Sequence, residues 1–312
     1  MDTTVSQNTT PATGHATSTA QTMLLGMRDI PTFSVVMDRD DFAGGSGIYS
    51  NAGNRSLQYP CSVEFIPTEG DSRSDWQINC GIKVFGGASR SRSPKHSLNL
   101  RFRTEYGAGK LREALFPGSE VEEFNSIAFR TGYNNSWIHW SGGQRERGSM
   151  IRDQWMRQSM LDMGNHAAGH GFMCHMFING LYWGVHNLCE RPESSHYAAH
   201  NGGDEDQLDA RNAGSTIDGT TTAYSAMQSL IGATGTPDYW NKVQGVLDMD
   251  QYIDYQIINR YGGNSDLSAG NNWRSAGGGP FPSGQPELMA PWQIYSWDGE
   301  RSLESPSLNN SP

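Results

Sequence analysis

The first half of the chain alternates between apolar and polar positions in short runs, the pattern of β-strands that bury one face. These runs carry β-branched and aromatic residues between glycines, prolines and serines, so each predicts a strand. They are residues 32–38 (TFSVVMD), 61–67 (CSVEFIP), 75–87 (DWQINCGIKVFGG), 95–103 (KHSLNLRFR) and 123–132 (EFNSIAFRTG). The third run should return antiparallel to the second. The fourth should be half-buried, with Lys95 at its start and leucines on one face.

A β-hairpin is predicted in the middle of the chain, at residues 171–190 (GFMCHMFINGLYWGVHNLCE). Two apolar runs flank Asn179-Gly180, a dipeptide that supplies the positive φ angles of a two-residue turn. Pairing residue 178 with 181 sets residue 174 opposite 185. Cys174 and Cys189 are then out of register and too far apart to form a disulfide.

Helical spacing appears from residue 149 onward. Residues 149–164 (SMIRDQWMRQSMLDMG) place apolar side chains at intervals of three and four, with Ser149 as the expected N-cap and Gly164 as the expected end. Three further segments, at 222–233, 239–247 and 248–263, are also predicted to be helical.

The remaining segments complete an α+β prediction, in which strands, a helix, a hairpin, more helices and a last strand follow one another. Segment 200–222 is polar and glycine-rich and predicts a surface loop, whereas 291–304 predicts a short strand ending at Asp298. Residues 1–30 are rich in Thr, Ser and Ala and predict a disordered arm or linker, and 305–312 predict an unstructured tail.

Composition and charge argue against several classes of protein. Hydrophobic residues make up 36% of the 312, and 37 residues are glycine, so loops must occupy much of the chain. The formal net charge of −10 disfavours nucleic acid and anionic membranes as partners. No apolar run approaches the roughly 18 residues that span a bilayer, and the first 30 residues lack the features of a signal peptide.

One glycine-rich segment, 262–273 (GGNSDLSAGNNW), holds side chains suited to phosphate chemistry. Asp266 and Asn271 have the D-x-x-x-x-N spacing of a protein-kinase catalytic loop, in which the acid receives the hydroxyl proton and the Asn binds magnesium. Asn272 offers a second amide. Asp298 follows a predicted strand, as the metal-binding Asp of kinases does, and magnesium prefers such oxygen ligands.

Lys95 stands out because the chain has only four lysines. In kinases a strand lysine contacts the nucleotide phosphates and pairs with an acid on the following helix. Lys95 precedes helix 149–164, and Asp153 in the first turn of that helix is the available partner.

The cysteines leave two interpretations open. If residues near 66 and 75 pair, Cys61 and Cys80 face each other across a hairpin. They then form either a disulfide, which suits an exported protein, or a pair of buried thiols. The absence of any CxxC spacing disfavours a zinc cluster.

The histidines suggest a rival metal site. His166 and His170 are four residues apart, as are His196 and His200, and this spacing can bind zinc on a helix. The first pair follows a predicted helix end in a glycine-rich segment, however, and the chain has no HExxH motif. A zinc hydrolase is therefore disfavoured.

Several segments resemble the serial motifs of the spore coat protein H (CotH) kinase-like family, and the resemblance covers roughly residues 32–304. The segments are 81–117 (GIKVFGGASRSRSPKHSLNLRFRTEYGAGKLREALFP), 149–156 (SMIRDQWM), 177–193 (FINGLYWGVHNLCERPE), 263–273 (GNSDLSAGNNW) and 291–304 (PWQIYSWDGERSLE). The resemblance implies an atypical two-lobed kinase fold that binds ATP with Mg²⁺ or Mn²⁺ and phosphorylates protein Ser or Thr. The β-rich N-lobe would comprise residues 31–189, and the hinge and a partial C-lobe residues 190–304.

The resemblance also implies roles for individual residues. Asp266 matches the catalytic acid, and Lys95 the residue that contacts nucleotide phosphate. Glu190 falls at the hinge, where backbone groups would hold adenine. The remaining matches are Arg90, beside the phosphates, and Asn271 or Asn272 with Asp298, which would hold the metal.

A non-catalytic binding module of the same fold is the alternative interpretation. Fourteen residues follow Asp298, and a kinase-like C-lobe usually needs more helix after its metal-binding Asp. A shortened or fragmentary lobe is therefore expected. The resemblance also implies an extracellular or cell-surface location, in a large secreted or surface protein.

Overall fold

The computed structural model of the chain describes residues 24–268 and 270–304. Most of the arm predicted at 1–30, and the tail predicted at 305–312, lie outside the described residues. The strands are β1 Thr32–Val36, β2 Tyr59–Ile66, β3 Trp76–Phe85, β4 Ser97–Arg101, β5 Leu111–Arg112, β6 Glu123–Phe124, β7 Ser126–Arg130, β8 Gly171–Ile178, β9 Leu181–Cys189, β10 Asp209–Asn212, β11 Ser215–Asp218, β12 Trp273–Gly278 and β13 Ala290–Ser296.

The helices between residues 39 and 261 range from one turn to more than three turns in length. They are α1 Arg39–Ala43, α2 Ser89–Arg92, α3 Gly142–Arg145, α4 Arg152–Asp162, α5 Ser194–Asn201, α6 Thr222–Gly232, α7 Tyr239–Val246 and α8 Met249–Tyr261. Short 3₁₀ turns occur at Tyr133–Asn135, Glu205–Gln207, Pro286–Leu288 and Gly299–Arg301. The mixture of helices and mostly antiparallel sheets confirms the predicted α+β class. No helix in the described part of the chain is long and apolar enough to cross a bilayer.

Seven strands form a closed sheet in the order β1-β2-β3-β4-β7-β9-β8, and the only parallel pair in it is β1 with β8. Alternate side chains point into this sheet and build the largest apolar cluster, in which Phe33, Leu98 and Phe129 are fully buried. The predicted alternation therefore identified these strands correctly, because a period of two places every second residue on the interior face.

The outer face of β3, β4, β7 and β9 carries the other residues of the same alternation. Lys83 lies opposite Asn99, which lies opposite Ala128, which lies opposite Cys189. The prediction that β4 is half-buried is wrong for its outer face, because the outward-facing Asn99 is also fully buried. The C-terminal part of the chain covers this face.

A second, four-stranded sheet has the order β11-β10-β12-β13. Helices α6, α7 and α8 pack beside it, and Trp292 of β13 is fully buried among their apolar side chains. The surface loop predicted at 200–222 is wrong, because this segment contains β10 and β11. Two of its polar residues, Asp209 and Arg211, are buried, and Arg211 stacks on Tyr224 with its guanidinium carbon 4.1 Å from the ring centre.

Helix α4 joins the two halves of the fold. Its Met156 and Met160 are fully buried against Tyr255 and Ile258 of α8. The helix begins at Arg152 rather than after the predicted N-cap Ser149, whose hydroxyl donates instead to Asn135 at 2.9 Å.

The hairpin of β8 and β9 turns at Asn179-Gly180 as predicted, with φ of 50° and 77°. A bulge between Met176 and Phe177 shifts the register, so Cys174 lies opposite His186 rather than residue 185. Cys61 and Cys80 do face each other, with 3.5 Å between their sulfurs, and both are buried free thiols.

Candidate active-site cleft

A cleft of about 880 Å³ separates the outer face of β3 and β4 from the C-terminal sheet. Its walls include five of the eight residues that the sequence assigned to a site: Arg90, Asp266, Asn271, Asn272 and Asp298. Residues 86–92 line one side, and the segments around Asp266 and Asp298 line the other. Lys95, Asp153 and Glu190 are not among the lining residues.

The side formed by the closed sheet carries several cations. Lys83, Arg90 and Arg101 line the cleft, and no carboxylate forms an ion pair with any of the three among the described residues. The pKa of Lys83 is lowered by burial and by the neighbouring charges of Arg101 and Arg191. Such a group of cations attracts an anionic ligand.

A glycine turn connects β3 to α2 and positions Arg90. Gly86 has φ +119°, and a Cβ there would lie 2.4 Å from the hydroxyl oxygen of Ser89. Its carbonyl oxygen accepts a hydrogen bond from Nε of Arg90 at 2.7 Å. Arg90 also donates through Nη1 to the carbonyl oxygen of Gly53 at 2.9 Å. The turn therefore requires glycine and holds the guanidinium at the edge of the cleft.

Asp266 lies on the opposite side, in the loop that follows α8. The loop is held by hydrogen bonds from Asp266 N to Asn264 Oδ1 at 3.3 Å and from Asn271 N to the Ser268 carbonyl oxygen at 3.1 Å. Ala269, within the D-x-x-x-x-N spacing, lies outside the described residues. No described residue donates a hydrogen bond to the Asp266 carboxylate, which leaves both oxygens available to a ligand.

Asn271 and Asn272 differ in their surroundings. Asn271 is exposed, and its Nδ2 donates to the backbone oxygen of Asp266 at 3.4 Å. Asn272 is only 6% exposed and has φ 63°, a left-handed conformation that asparagine tolerates. Its Nδ2 is buried without a partner among the described residues. A buried, unpaired amide that lines a cleft is suited to contact with a ligand.

Asp298 follows β13 in a left-handed turn, with φ 64°. Its Oδ1 accepts a hydrogen bond from Nη2 of Arg130, while 37% of the side chain remains exposed. The preceding residue, Trp297, is stacked between two guanidiniums, with Arg130 at 4.7 Å and Arg274 at 4.6 Å from the ring centre. These contacts fix the turn that presents the Asp298 carboxylate to the cleft.

Arg130, at the end of β7, was not singled out from the sequence. Besides Asp298, it contacts Oδ2 of Asp153 at 3.0 Å and Oε1 of Glu300 at 2.9 Å. Burial works to raise the pKa of Asp153, but the charges of Arg130 and Arg157 outweigh it and lower that pKa. The predicted pairing of Asp153 with Lys95 is therefore wrong, since Asp153 is enclosed by arginines.

Glu300 is a second buried carboxyl group of this network. Burial and the negative charges of Asp298 and Asp153 raise its pKa to about 7, although Arg130 opposes them. Its Oε2 accepts a hydrogen bond from the backbone N–H of Asn134 at 2.7 Å. Several acidic groups thus share one buried guanidinium.

Lys95 lies two residues before β4 and is directed away from the acidic groups. Its Nζ donates to the carbonyl oxygen of Val185 at 2.5 Å. Burial lowers its pKa to about 8. Its assignment to the nucleotide phosphates remains a prediction, and Lys83 is the lysine that lines the cleft.

Glu190 lies at the end of β9 and is turned toward a group of histidines. Its Oε2 is 3.0 Å from Nδ1 of His170, and its Oε1 is 2.9 Å from Nε2 of His200. Burial works to raise the pKa of Glu190, but His196, His170 and His200 outweigh it and lower that pKa. The backbone N–H of Glu190 donates to the His170 carbonyl oxygen at 3.0 Å, so this amide is already paired.

Comparison with known proteins supports the resemblance in the sequence. The family model described as CotH kinase protein matches residues 82–309. The match extends from the strand that carries Lys83 to beyond Asp298 and so includes both sides of the cleft. No curated protein matches the chain. The chain belongs to the CotH kinase protein family.

Proposed function

We propose that this protein is a phosphotransferase that uses ATP and Mg²⁺ or Mn²⁺ to phosphorylate a Ser or Thr hydroxyl of a protein. The proposal rests on one observation: a single cleft has unpaired cations on one side and carboxylates and amides on the other. A nucleoside triphosphate with its metal needs both kinds of group. The closed sheet would serve as the N-lobe, within residues 31–189, and residues 190–304 as the hinge and C-lobe.

The cations would hold the nucleotide phosphates. Lys83 and Arg101 project from neighbouring strands of the rigid closed sheet, and Arg90 follows the glycine turn. Lys83 takes the role that the family resemblance gives to Lys95, because Lys83 lies in the cleft and has no ion-pair partner among the described residues. The exposed backbone of residues 86–88 would cover the phosphates, as glycine-rich loops do.

The oxygen atoms opposite these cations fit a hard divalent cation. The Asp298 carboxylate and the amide oxygens of Asn271 or Asn272 are the ligand types that magnesium prefers. The Asn272 side chain carries both an amide oxygen, which can bind metal, and an N–H group, which can donate to phosphate. The ion would neutralise charge on the phosphate oxygens.

Asp266 would act on the acceptor. Its carboxylate lies in the cleft without a hydrogen-bond donor from the described residues. It would orient the Ser or Thr hydroxyl and take up its proton as that oxygen bonds to the γ-phosphorus and the bond to the leaving diphosphate breaks.

Transfer of labelled γ-phosphate from ATP to the protein itself or to a generic acceptor protein tests this proposal. With Mg²⁺ or Mn²⁺ present, we expect transfer by the wild type and a loss of at least about a hundredfold in Asp266→Ala. Asp162→Ala, which removes an exposed acid of α4, is the matched control and should retain activity. Undiminished transfer by Asp266→Ala would overturn the assignment.

A non-catalytic binding module of the same fold is supported by a different observation. Arg130 already occupies Oδ1 of Asp298, which competes with metal binding at that oxygen. A thermal shift on addition of Mg-ATP separates the two functions. A rise in Tm that disappears in Asp298→Ala and Lys83→Ala supports the phosphotransferase, and no rise in the wild type supports the binding module.

A further inference from the structure

Four histidines and one glutamate converge outside the cleft, where the closed sheet meets helix α5. The carboxylate of Glu190 lies between His170 and His200, at 3.0 and 2.9 Å, and the three ligand atoms are within 4.8 Å of one another. We propose that His170, Glu190 and His200 bind a divalent transition-metal ion such as Zn²⁺, which stabilises this junction.

The donor set suits zinc. Two imidazole nitrogens and one carboxylate oxygen form a common three-ligand zinc set, with water as the fourth ligand. Ligand atoms about 2.1 Å from a tetrahedral ion lie about 3.4 Å apart. The separations of 2.9 and 3.0 Å end on different oxygens of Glu190, Oε1 for His200 and Oε2 for His170. Every pair of the three ligand atoms lies within 4.8 Å, so an ion would draw these side chains together by about 1–2 Å.

His196 lies beside this group without being one of its ligands. Its Nε2 lies 3.0 Å from the carbonyl oxygen of Ala167, and its Nδ1 lies 3.8 Å from Oε1 of Glu190. Its ring centre is 4.5 Å from that of His200, so the ring packs against the proposed ligands.

The ligands come from separate elements. His170 immediately precedes β8, Glu190 immediately follows β9, and His200 is in the last turn of α5. In sequence each histidine belongs to a different i, i+4 pair, and the fold takes one member from each pair. An ion shared by the three would tie the closed sheet to the helix that leads into the second sheet.

An acidic cleft lies beside the site. Glu190 and His196 line this cleft, which has a volume of about 530 Å³. Its other walls carry six carboxylates, including Glu122, Asp204 and Glu205, against two cations. Their negative potential raises the local concentration of divalent cations. This site is separate from the proposed nucleotide site and makes no use of it.

The full-length chain, freed of metal with a chelator, is titrated with Zn²⁺ alone and with Co²⁺ alone. We expect one Zn²⁺ per chain, a rise in Tm, and the visible absorption of tetrahedral Co²⁺. Glu190→Gln and His200→Ala should weaken binding at least about tenfold and abolish the rise in Tm, since removal of a ligand costs more than loss of its outer support. Glu190→Gln keeps the side-chain shape, so it reports on binding if His200→Ala does not fold.

His166→Ala is the matched control. His166 is exposed, and its ring centre lies 6.3 Å from that of His200, but it is not part of the three-residue group. It should bind Zn²⁺ like the wild type. Absence of stoichiometric Zn²⁺ in the wild type, or equal binding by the wild type and Glu190→Gln, would overturn the proposal.

Discussion

At the scale of single residues, the cleft depends on Arg130, whose buried guanidinium is shared by three carboxylates. Removing it leaves Asp153 and Glu300 buried without their common counter-charge, which is far more costly than losing an exposed ion pair. Arg130→Met should therefore lower the free energy of unfolding by about 3–5 kcal/mol, measured by urea denaturation at neutral pH.

Arg112→Met gives the comparison for Arg130. Arg112 pairs with Glu123 at 3.0 Å, and both side chains are largely exposed. Solvent screens such a pair, so its loss should cost less than about 1 kcal/mol. If Arg130→Met and Arg112→Met had equal free energies of unfolding, other groups would have to balance the charges of the carboxylates around Arg130.

Lys95 leads to a prediction on pH dependence. Burial lowers its pKa to about 8 in the folded protein, from 10.5. Below about pH 8, Lys95 is protonated in both the folded and the unfolded state, and the cost of burying its charge is present in full. Between about pH 8 and 10.5 the unfolded state binds more protons than the folded state, so the free energy of unfolding rises with pH. Lys95→Met removes this cost, and its stability relative to the wild type should fall by about 3 kcal/mol from pH 7 to 10.5. Urea denaturation of both proteins across that pH range measures the difference between their free energies of unfolding. A difference that does not change with pH would contradict a lowered pKa for Lys95.

Single residues also mark the limits of what the sequence could predict. Asp266 and Asn271 could be predicted as candidates because the pattern that points to them is a local spacing. Arg130 was missed because its partners Asp298 and Glu300 are about 170 positions away, and only the fold brings them together. Whether Lys83 or Lys95 lines the cleft depends on which face of the closed sheet the C-terminal part of the chain covers. The residues near the two lysines in sequence do not determine this.

At the scale of elements, local turn chemistry was predictable and tertiary burial was not. Asn179-Gly180 defined the hairpin, but the bulge near Met176 altered the register beyond the turn. The strands β10 and β11 were missed because their polar side chains do not alternate with apolar ones. Asp209 is buried, and its carboxylate accepts a hydrogen bond from the backbone N–H of Thr220 at 2.6 Å.

The glycine turn after β3 gives a prediction at this scale. Gly86→Ala places a methyl group against the Ser89 hydroxyl at φ +119°, so it should cost about 1–3 kcal/mol of stability and weaken Mg-ATP binding. Gly87→Ala is the matched control, because a Cβ there meets no atom within 4 Å. Thermal unfolding and calorimetric titration measure both variants. Equal behaviour of the two would show that the turn is not constrained as described.

At the scale of the whole molecule, the proposed function requires an anionic nucleotide to approach a protein with a formal net charge of −10. Long-range repulsion is screened beyond about 8 Å at physiological ionic strength, so the local field of Lys83, Arg90 and Arg101 decides binding. Binding that bridges the cleft would involve the closed sheet and the C-terminal sheet together.

Hydrogen exchange measured by mass spectrometry tests this bridging. Mg-ATP should slow amide exchange both in residues 86–92, on the closed-sheet side, and in residues 264–274, on the opposite side, because one ligand contacts both. Helix α7 contributes no residue to the cleft walls and serves as the internal control. AMP should protect less because it lacks the β- and γ-phosphates. Protection on one side alone would mean that the nucleotide does not span the cleft, and the opposed cations and carboxylates would then need separate ligands.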